Sequence, residues 1–166
     1  MIRPLRPQYS AMLLFVVTIG IYYASIIDVY FNQSVLNIED QALLDSLSNS
    51  GLKIKDIFVS YGKYFRPVTF ISFFIDQSLW GDIPFGYRLT NLLYHSINVV
   101  LLYFTTLLFL KAFSRKKEIS FLAALIFALH PLAVESVSWI SGRTDPLATL
   151  WSLMAVMFYL LSKDPG

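Results

Sequence analysis

Long runs without charge constrain this chain more than any other feature. Residues 11–27 contain no Asp, Glu, Lys or Arg, and residues 29–31 continue the run past Asp28. Similar runs follow at 89–110, 119–134 and 146–161. A helix needs about 20 apolar residues to cross the hydrocarbon core of a bilayer. With 14% charged residues, against about 25% in ordinary soluble domains, the chain has too little charge to keep such runs in water. The sequence therefore predicts an all-α fold, a polytopic transmembrane helical bundle of four spans. The last run, at 16 residues, is somewhat short.

The first run is preceded by Arg3 and Arg6, as in a signal peptide. It is longer than the usual apolar core of such peptides, and Tyr23-Ala24-Ser25 makes a poor cleavage site. It reads as an uncleaved first span.

The loop at 32–84 is polar and mixed in charge. Residues 39–47 and 52–59 have the pattern of short amphipathic helices. From Arg66-Pro67 to Trp80, proline suits the first helical position, and Thr69, Ser72 and Asp76 share one face among apolar neighbours. Fourteen helical residues reach roughly 21 Å, so an interfacial helix lying on the membrane is expected.

Charge distribution orients the four spans. Residues 1–10, 111–118 and 162–166 fall on one side and hold seven Lys or Arg against Glu118 and Asp164. The other side holds six basic and nine acidic residues. By the positive-inside rule the termini are cytoplasmic and loop 32–84 faces outward. Making 67–80 a fifth span would put Lys111–Lys117 outside.

Polar groups inside a span are costly and mark candidate functional positions. Arg88, Asn91, His95 and Asn98 lie within an arc of about 80° on a helical wheel, opposite Leu, Val and Ile. That stripe faces protein or a water-filled cavity; inter-helix hydrogen bonding and substrate contact are both open to it. Arg88, at the outer edge, is placed to snorkel.

The connector after the third span is denser, with His130, Pro131, Glu135, Trp139, Arg143 and Asp145 within sixteen residues. Arg143 suits an anionic phosphate, for which guanidinium offers a rigid set of donors; the structural alternative is an ion pair with Asp145 or Glu135. Asp145 before Pro146 has the pattern of a helix N-cap. Asp145, Thr149 and Ser152 form a polar line on the fourth span. Glu39-Asp40 is an adjacent acid pair of the kind common on solvated loops. No cysteine is present, and neither a metal-ligand spacing nor a phosphate-loop or Ser/His/Asp signature occurs. No cofactor is identified, and the formal charge of +2 is too small to suggest a nucleic-acid partner.

The acid pair, then Tyr64-Phe65-Arg66-Pro67 leading to Ile75-Asp76 and Leu79-Trp80-Gly81, then residues 86–95 (GYRLTNLLYH), and last the His130-Pro131…Glu135…Trp139…Arg143…Asp145 string stand in a telling order. Together they resemble the N-terminal membrane region of the glycosyltransferase-C superfamily, closest to the transmembrane and tetratricopeptide-repeat-containing O-mannosyltransferases and their bacterial relatives. The resemblance covers most of residues 28–161. It implies transfer of a sugar from a polyprenyl- or dolichyl-phosphate donor to an acceptor, protein or glycan, on the outer side of the membrane. It gives Glu39 or Asp40 the role of general base, although the family usually shows two aspartates there. It gives Arg143, with Arg66 or Arg88, the departing lipid phosphate. His130 and Glu135 would line the same cavity, with Asn91, His95 and Asp145 among the substrate-binding candidates.

Enzymes of that superfamily carry more spans and this group adds C-terminal helical repeats. Four spans, ending in Lys163-Asp-Pro-Gly, are therefore read as the N-terminal part of a longer protein, inactive alone. A bacterial inner membrane is expected, with the endoplasmic reticulum as alternative. The competing functions are a non-catalytic membrane scaffold or subunit and a small transporter; the transporter would show internal repeats, and none is found.

Overall fold

A computed structural model describes residues 6–31, 38–49 and 66–163. Within them the chain forms seven helices and, among the described residues, no strand: α1 (Pro7–Phe31), α2 (Ile38–Asn49), α3 (Pro67–Trp80), α4 (Pro84–Phe109), α5 (Lys116–Leu129), α6 (Ala133–Ser138) and α7 (Thr144–Ser162). The expected helix at 52–59, the Tyr64-Phe65 pair, Arg3 and the final residues 164–166 lie outside the described residues.

α4 is the axis of the bundle, packed by α1, α5 and α7 and, at its start, by α3 and α6. Its Pro84 opens the first turn after an extended Ile83, where the missing N–H costs nothing. The helix therefore begins five residues before the expected 89. Arg88 consequently lies inside the helix rather than at its edge, and it is buried instead of snorkelling. The polar stripe turns inward as its periodicity demands: Arg88, Asn91, His95 and Asn98 are all buried, while Leu93 and Ile97 are exposed.

Three helical stretches are long and apolar enough to cross a membrane: Pro7–Ile27, Pro84–Phe109 and Ser141–Ser162. The expected span at 119–134 is not one continuous helix. α5 ends at Leu129 because Pro131 pushes the preceding His130 into extended backbone, at φ −67° and ψ 127°. Its 14 residues rise roughly 21 Å, less than the hydrocarbon thickness of about 30 Å. α5 and α6 together carry the chain back along α4. His95 of α4 meets Phe127 of α5 at 5.2 Å between ring centroids, and Asn91 Nδ2 donates to the Trp139 carbonyl at 2.7 Å.

The inner packing uses small residues. Ala124 and Ala128, one turn apart on α5, are buried against Ala11, Leu14, Val99 and Tyr103, which lets helix backbones approach closely. α3 presents its faces in an order opposite to that of a soluble helix. Thr69, Ser72, Phe73 and Asp76 are buried, whereas Val68, Ile71, Ile75 and Leu79 are exposed. α7 likewise exposes Trp151, Val156, Phe158 and Leu161. Apolar surface on the outside and polar groups within is the arrangement lipid requires.

The α3–α4 turn is tight. Gly81 takes φ +58°, a region that side chains with a Cβ rarely enter. A Cβ on Gly86 would fall 2.2 Å from Trp80 Cγ, so the indole lies directly on the first turn of α4.

Candidate functional site

At the end of the bundle where α3, α4, α6 and α7 begin or end, two polar assemblies sit one turn of α4 apart. The first is built around Arg143, whose side chain is 0% exposed. A 3-10 turn, Ser141–Arg143, leads straight into α7 and aims this guanidinium inward. Nε donates to Asn91 Oδ1 at 2.7 Å. Nη2 donates to the Asp76 carboxylate and, at 2.9 Å, to the Tyr87 carbonyl. Nη1 reaches Ser72 Oγ at 3.5 Å, and the guanidinium carbon stands 4.4 Å over the Phe73 ring. The ion-pair partner is thus Asp76, and not Asp145 or Glu135.

Asp76 also accepts from Thr90 Oγ1 at 3.0 Å. Burial pushes the Asp76 carboxyl above its ordinary range, and the charge and hydrogen bond of Arg143 pull it back. The polar line Thr69–Ser72–Asp76, visible in the sequence, was the signal that α3 carries a buried partner; an acid on the polar face of an otherwise apolar helix needs a cation.

Asp40 joins this assembly from α2. It is 0% exposed and accepts two backbone N–H groups, from Ile140 at 3.0 Å and Ser141 at 2.9 Å. Arg88 Nη2 lies 3.9 Å from the same carboxylate. The first loop is thereby pinned to the connector that precedes α7. Its neighbour Glu39 is exposed. Adjacent helix positions point about 100° apart, so packing Asp40 inward turns Glu39 out.

The second assembly lines a cavity of about 250 Å³ between α4, α5, α6 and α7, bounded by His95, Asn98, His130, Ser136, Asp145 and Thr149 among others. Of these lining residues, His95 Nε2 and Asn98 Oδ1 are closed off from solvent without a hydrogen-bond partner. Asn98 Nδ2 holds the Pro146 carbonyl at 2.8 Å, and Ser136 Oγ donates to Asp145 Oδ2 at 3.3 Å. Asp145 is not an N-cap. Arg143 takes the N-cap and α7 starts at Thr144, two positions earlier than that pattern, which leaves Asp145 as the acid of the first turn, where the helix dipole favours it.

Arg66 is exposed at the N-cap of α3 and donates to Thr144 Oγ1 at 3.1 Å. Beside it a hollow of about 200 Å³ is walled by Val68, Leu147, Ala148 and Trp151. Glu135 is exposed on α6 and borders neither the cavity nor the hollow. The structure therefore brings Asp40, Arg88, Asn91 and Arg143 into one network and His95, His130 and Asp145 around one cavity. Glu39, Arg66 and Glu135 stand at the surface. Asp76, Ser72, Tyr87, Ser136 and Thr149 were not among the residues singled out as a site. Among the described residues no group of His, Asp or Glu is arranged to hold a metal ion.

No protein-family model matches the chain, and no solved structure does. Curated proteins do. Over 104 residues, 63% of this chain, it is 35% identical to the mouse (Mus musculus) protein O-mannosyl-transferase TMTC1. The human (Homo sapiens) protein O-mannosyl-transferase TMTC3 is 33% identical over 103 residues, 62% of the chain. The Caenorhabditis elegans protein O-mannosyl-transferase F38B6.6 is 30% identical over 108 residues, 61% of the chain. The chain spans only 11% to 15% of the length of these relatives. The resemblance carried by the motifs is thus matched by relatives of that name, and the chain is similar over about three fifths of its length to proteins named O-mannosyl-transferases.

Proposed function

We propose that this chain is the N-terminal membrane part of a glycosyltransferase that moves a sugar from a polyprenyl- or dolichyl-phosphate donor to a hydroxyl of a protein acceptor. The observation that carries this reading is the anchorage of Asp40 on Ile140 and Ser141. It joins the first-loop acids to the connector that bears His130, Glu135, Arg143 and Asp145, in a chain similar to proteins named O-mannosyl-transferases.

The chemistry assigns the roles. A general base must reach the proton it removes. Exposed Glu39 is open to an incoming hydroxyl, whereas both oxygens of Asp40 are held by backbone N–H groups. Glu39 therefore takes the acceptor proton as the acceptor oxygen attacks the anomeric carbon and the bond from that carbon to the lipid phosphate breaks. Asp40 positions it. Arg66, exposed beside an apolar hollow, stabilises the negative charge gathering on the phosphate. The prenyl chain lies along the exposed apolar face of α7. His130, Ser136 and Asp145 offer the cavity's polar contacts to sugar hydroxyls, and the His95 and Asn98 side chains form its inner wall. Arg88, Asn91 and Arg143 hold the surrounding helices in place, and Glu135, exposed away from the cavity, has no contact with substrate.

The topology that goes with this is four crossings, the α5–α6 segment being the third. α3 lies at the interface with its exposed apolar face in lipid. The termini are cytoplasmic and the site faces the periplasm of a bacterial inner membrane. The remainder of the transferase, absent from these residues, completes the site.

Sugar transfer in membranes holding the full-length protein, with Glu39→Gln and Asp40→Asn made separately, tests the assignment. Glu39→Gln is expected to lower transfer at least 100-fold with normal protein level. Asp40→Asn is expected to lower both transfer and protein level. Full activity of Glu39→Gln would remove Glu39 as the base, and full activity of both would favour a scaffold.

A further inference from the structure

The cavity bounded by His130 and Asp145 presents two groups of opposite and fixed polarity. Pro131 has no N–H, so the first donor after the break in the chain is the Leu132 amide, which donates to His130 Nδ1 at 3.3 Å. With that nitrogen occupied as an acceptor, the neutral imidazole carries its proton on Nε2 and can there only donate. Asp145 is the reverse case. Its Oδ2 accepts from Ser136 Oγ at 3.3 Å, and a carboxylate can only accept. Gly142 makes this contact possible. A Cβ there would fall 3.0 Å from the Glu135 carbonyl oxygen and 3.1 Å from Ser136 Cα, so the turn before α7 lies directly on α6.

A ligand group that meets both side chains must accept from one and donate to the other. A phosphate oxygen only accepts, and Asp145 repels it. An ammonium only donates, and leaves the imidazole N–H unused. A hydroxyl does both with a single atom. Phe127, Leu132 and Pro146 complete the lining; they are apolar and suit the C–H faces of a sugar ring, a few polar groups among apolar walls being the common form of a small-ligand site. Position along the chain tells which hydroxyl is met. Thr144 borders the hollow assigned to the lipid phosphate, and the next residue, Asp145, borders the cavity. The group held at Asp145 is therefore close to the carbon that bears the phosphate. We propose that His130 and Asp145 determine specificity for the hydroxyl on C2 of the transferred sugar, the Nε2–H of His130 donating to its oxygen and Asp145 accepting its O–H. Such a bond strengthens as positive charge builds at C1 while the link from C1 to the phosphate breaks, so it acts on the rate as well as on binding. This role rests on the transferase reading and adds to it the position of the sugar that is recognised.

Citronellyl phosphate carrying mannose or glucose, and the 2-deoxy form common to both, test this as donors to membranes holding the full-length protein. The native protein is expected to transfer from the better 2-hydroxy donor about 100-fold faster than from the 2-deoxy donor, mainly through kcat. A 6-deoxy donor of the same sugar is expected to be used nearly as well as its parent. His130→Asn keeps an acceptor for the Leu132 amide and removes the Nε2 donor, whereas Asp145→Ala removes the carboxylate. Each is expected to cut transfer from the 2-hydroxy donor about 30-fold and to leave the slow transfer from the 2-deoxy donor nearly unaltered. A merely structural role would lower both donors alike, so equal losses at normal protein level overturn the assignment. Equal use of the 2-hydroxy and 2-deoxy donors by the native protein overturns it too, as does an equal penalty for the 6-deoxy donor. That native comparison needs no variant and decides even where a substituted chain fails to accumulate. No transfer from any of these donors would instead remove the transferase reading, and this role with it.

Discussion

Arg143 concentrates the energetics of the end where α3, α4 and α7 meet in one side chain. A fully buried guanidinium is tolerable only with a counter-charge and with its donors occupied, and Asp76, Asn91 and the Tyr87 carbonyl meet that demand. Removing one partner strands the other. Asp76→Asn is expected to destabilise the protein by about 3–5 kcal/mol, the cost of an uncompensated buried charge. Asp76→Leu with Arg143→Leu is expected to be less harmful than either single change, because no orphan charge remains. Unfolding in mixed micelles, read by loss of helical signal, measures all of these. The order double above single identifies the pair as a mutual dependence rather than two separate contacts. Asp40 poses a smaller problem of the same kind. Its replacement by Asn leaves one of two backbone N–H groups without an acceptor, which costs about 1–3 kcal/mol.

Elements meet through their small residues and their breaks. The α3–α4 turn needs a glycine at 86 for the indole of Trp80 to lie on the helix, so Gly86→Ala must displace either the ring or α3. A cost of about 1–3 kcal/mol is expected from overpacking, read as a lower unfolding midpoint. Helix propensity alone would predict a gain from the same change, so the sign of the effect decides which factor governs. Gly81→Ala adds strain through its positive φ. At 130–131 the break is what matters. Pro131 ends α5 and lets α6 turn the connector over the mouth of the cavity, with Tyr22 of α1 donating to the Ala128 carbonyl at 3.1 Å beside it. Periodicity showed an apolar run there, and proline showed a bend. The placement of the bend one residue before Pro131 follows from local sterics, whereas the split into α5 and α6 did not emerge from hydropathy, which averages over it.

For the whole molecule the central expectation is its orientation. Loop 111–118 and the α3–α4 turn lie at opposite ends of α4, so Ser114→Cys and Ser78→Cys are expected to label from opposite sides of a sealed membrane. The native chain has no cysteine, so the readout is free of background. Labelling of both from one side would break the four-crossing topology. Membrane residence and the inward face of α4 were legible in the sequence alone, because the cost of a charge in lipid is additive along a chain and helical periodicity is local. The resemblance to O-mannosyltransferases was legible for the same reason, its residues lying in short strings. Only the tertiary structure decided that Arg143 pairs with Asp76, 67 residues away, when Glu135 and Asp145 stood nearer in the chain. It alone divided the acid pair, burying Asp40 on the Ile140 and Ser141 amides and leaving Glu39 open. Spacing along a chain says which groups share a face, but which partner each face meets depends on how helices far apart in sequence pack together.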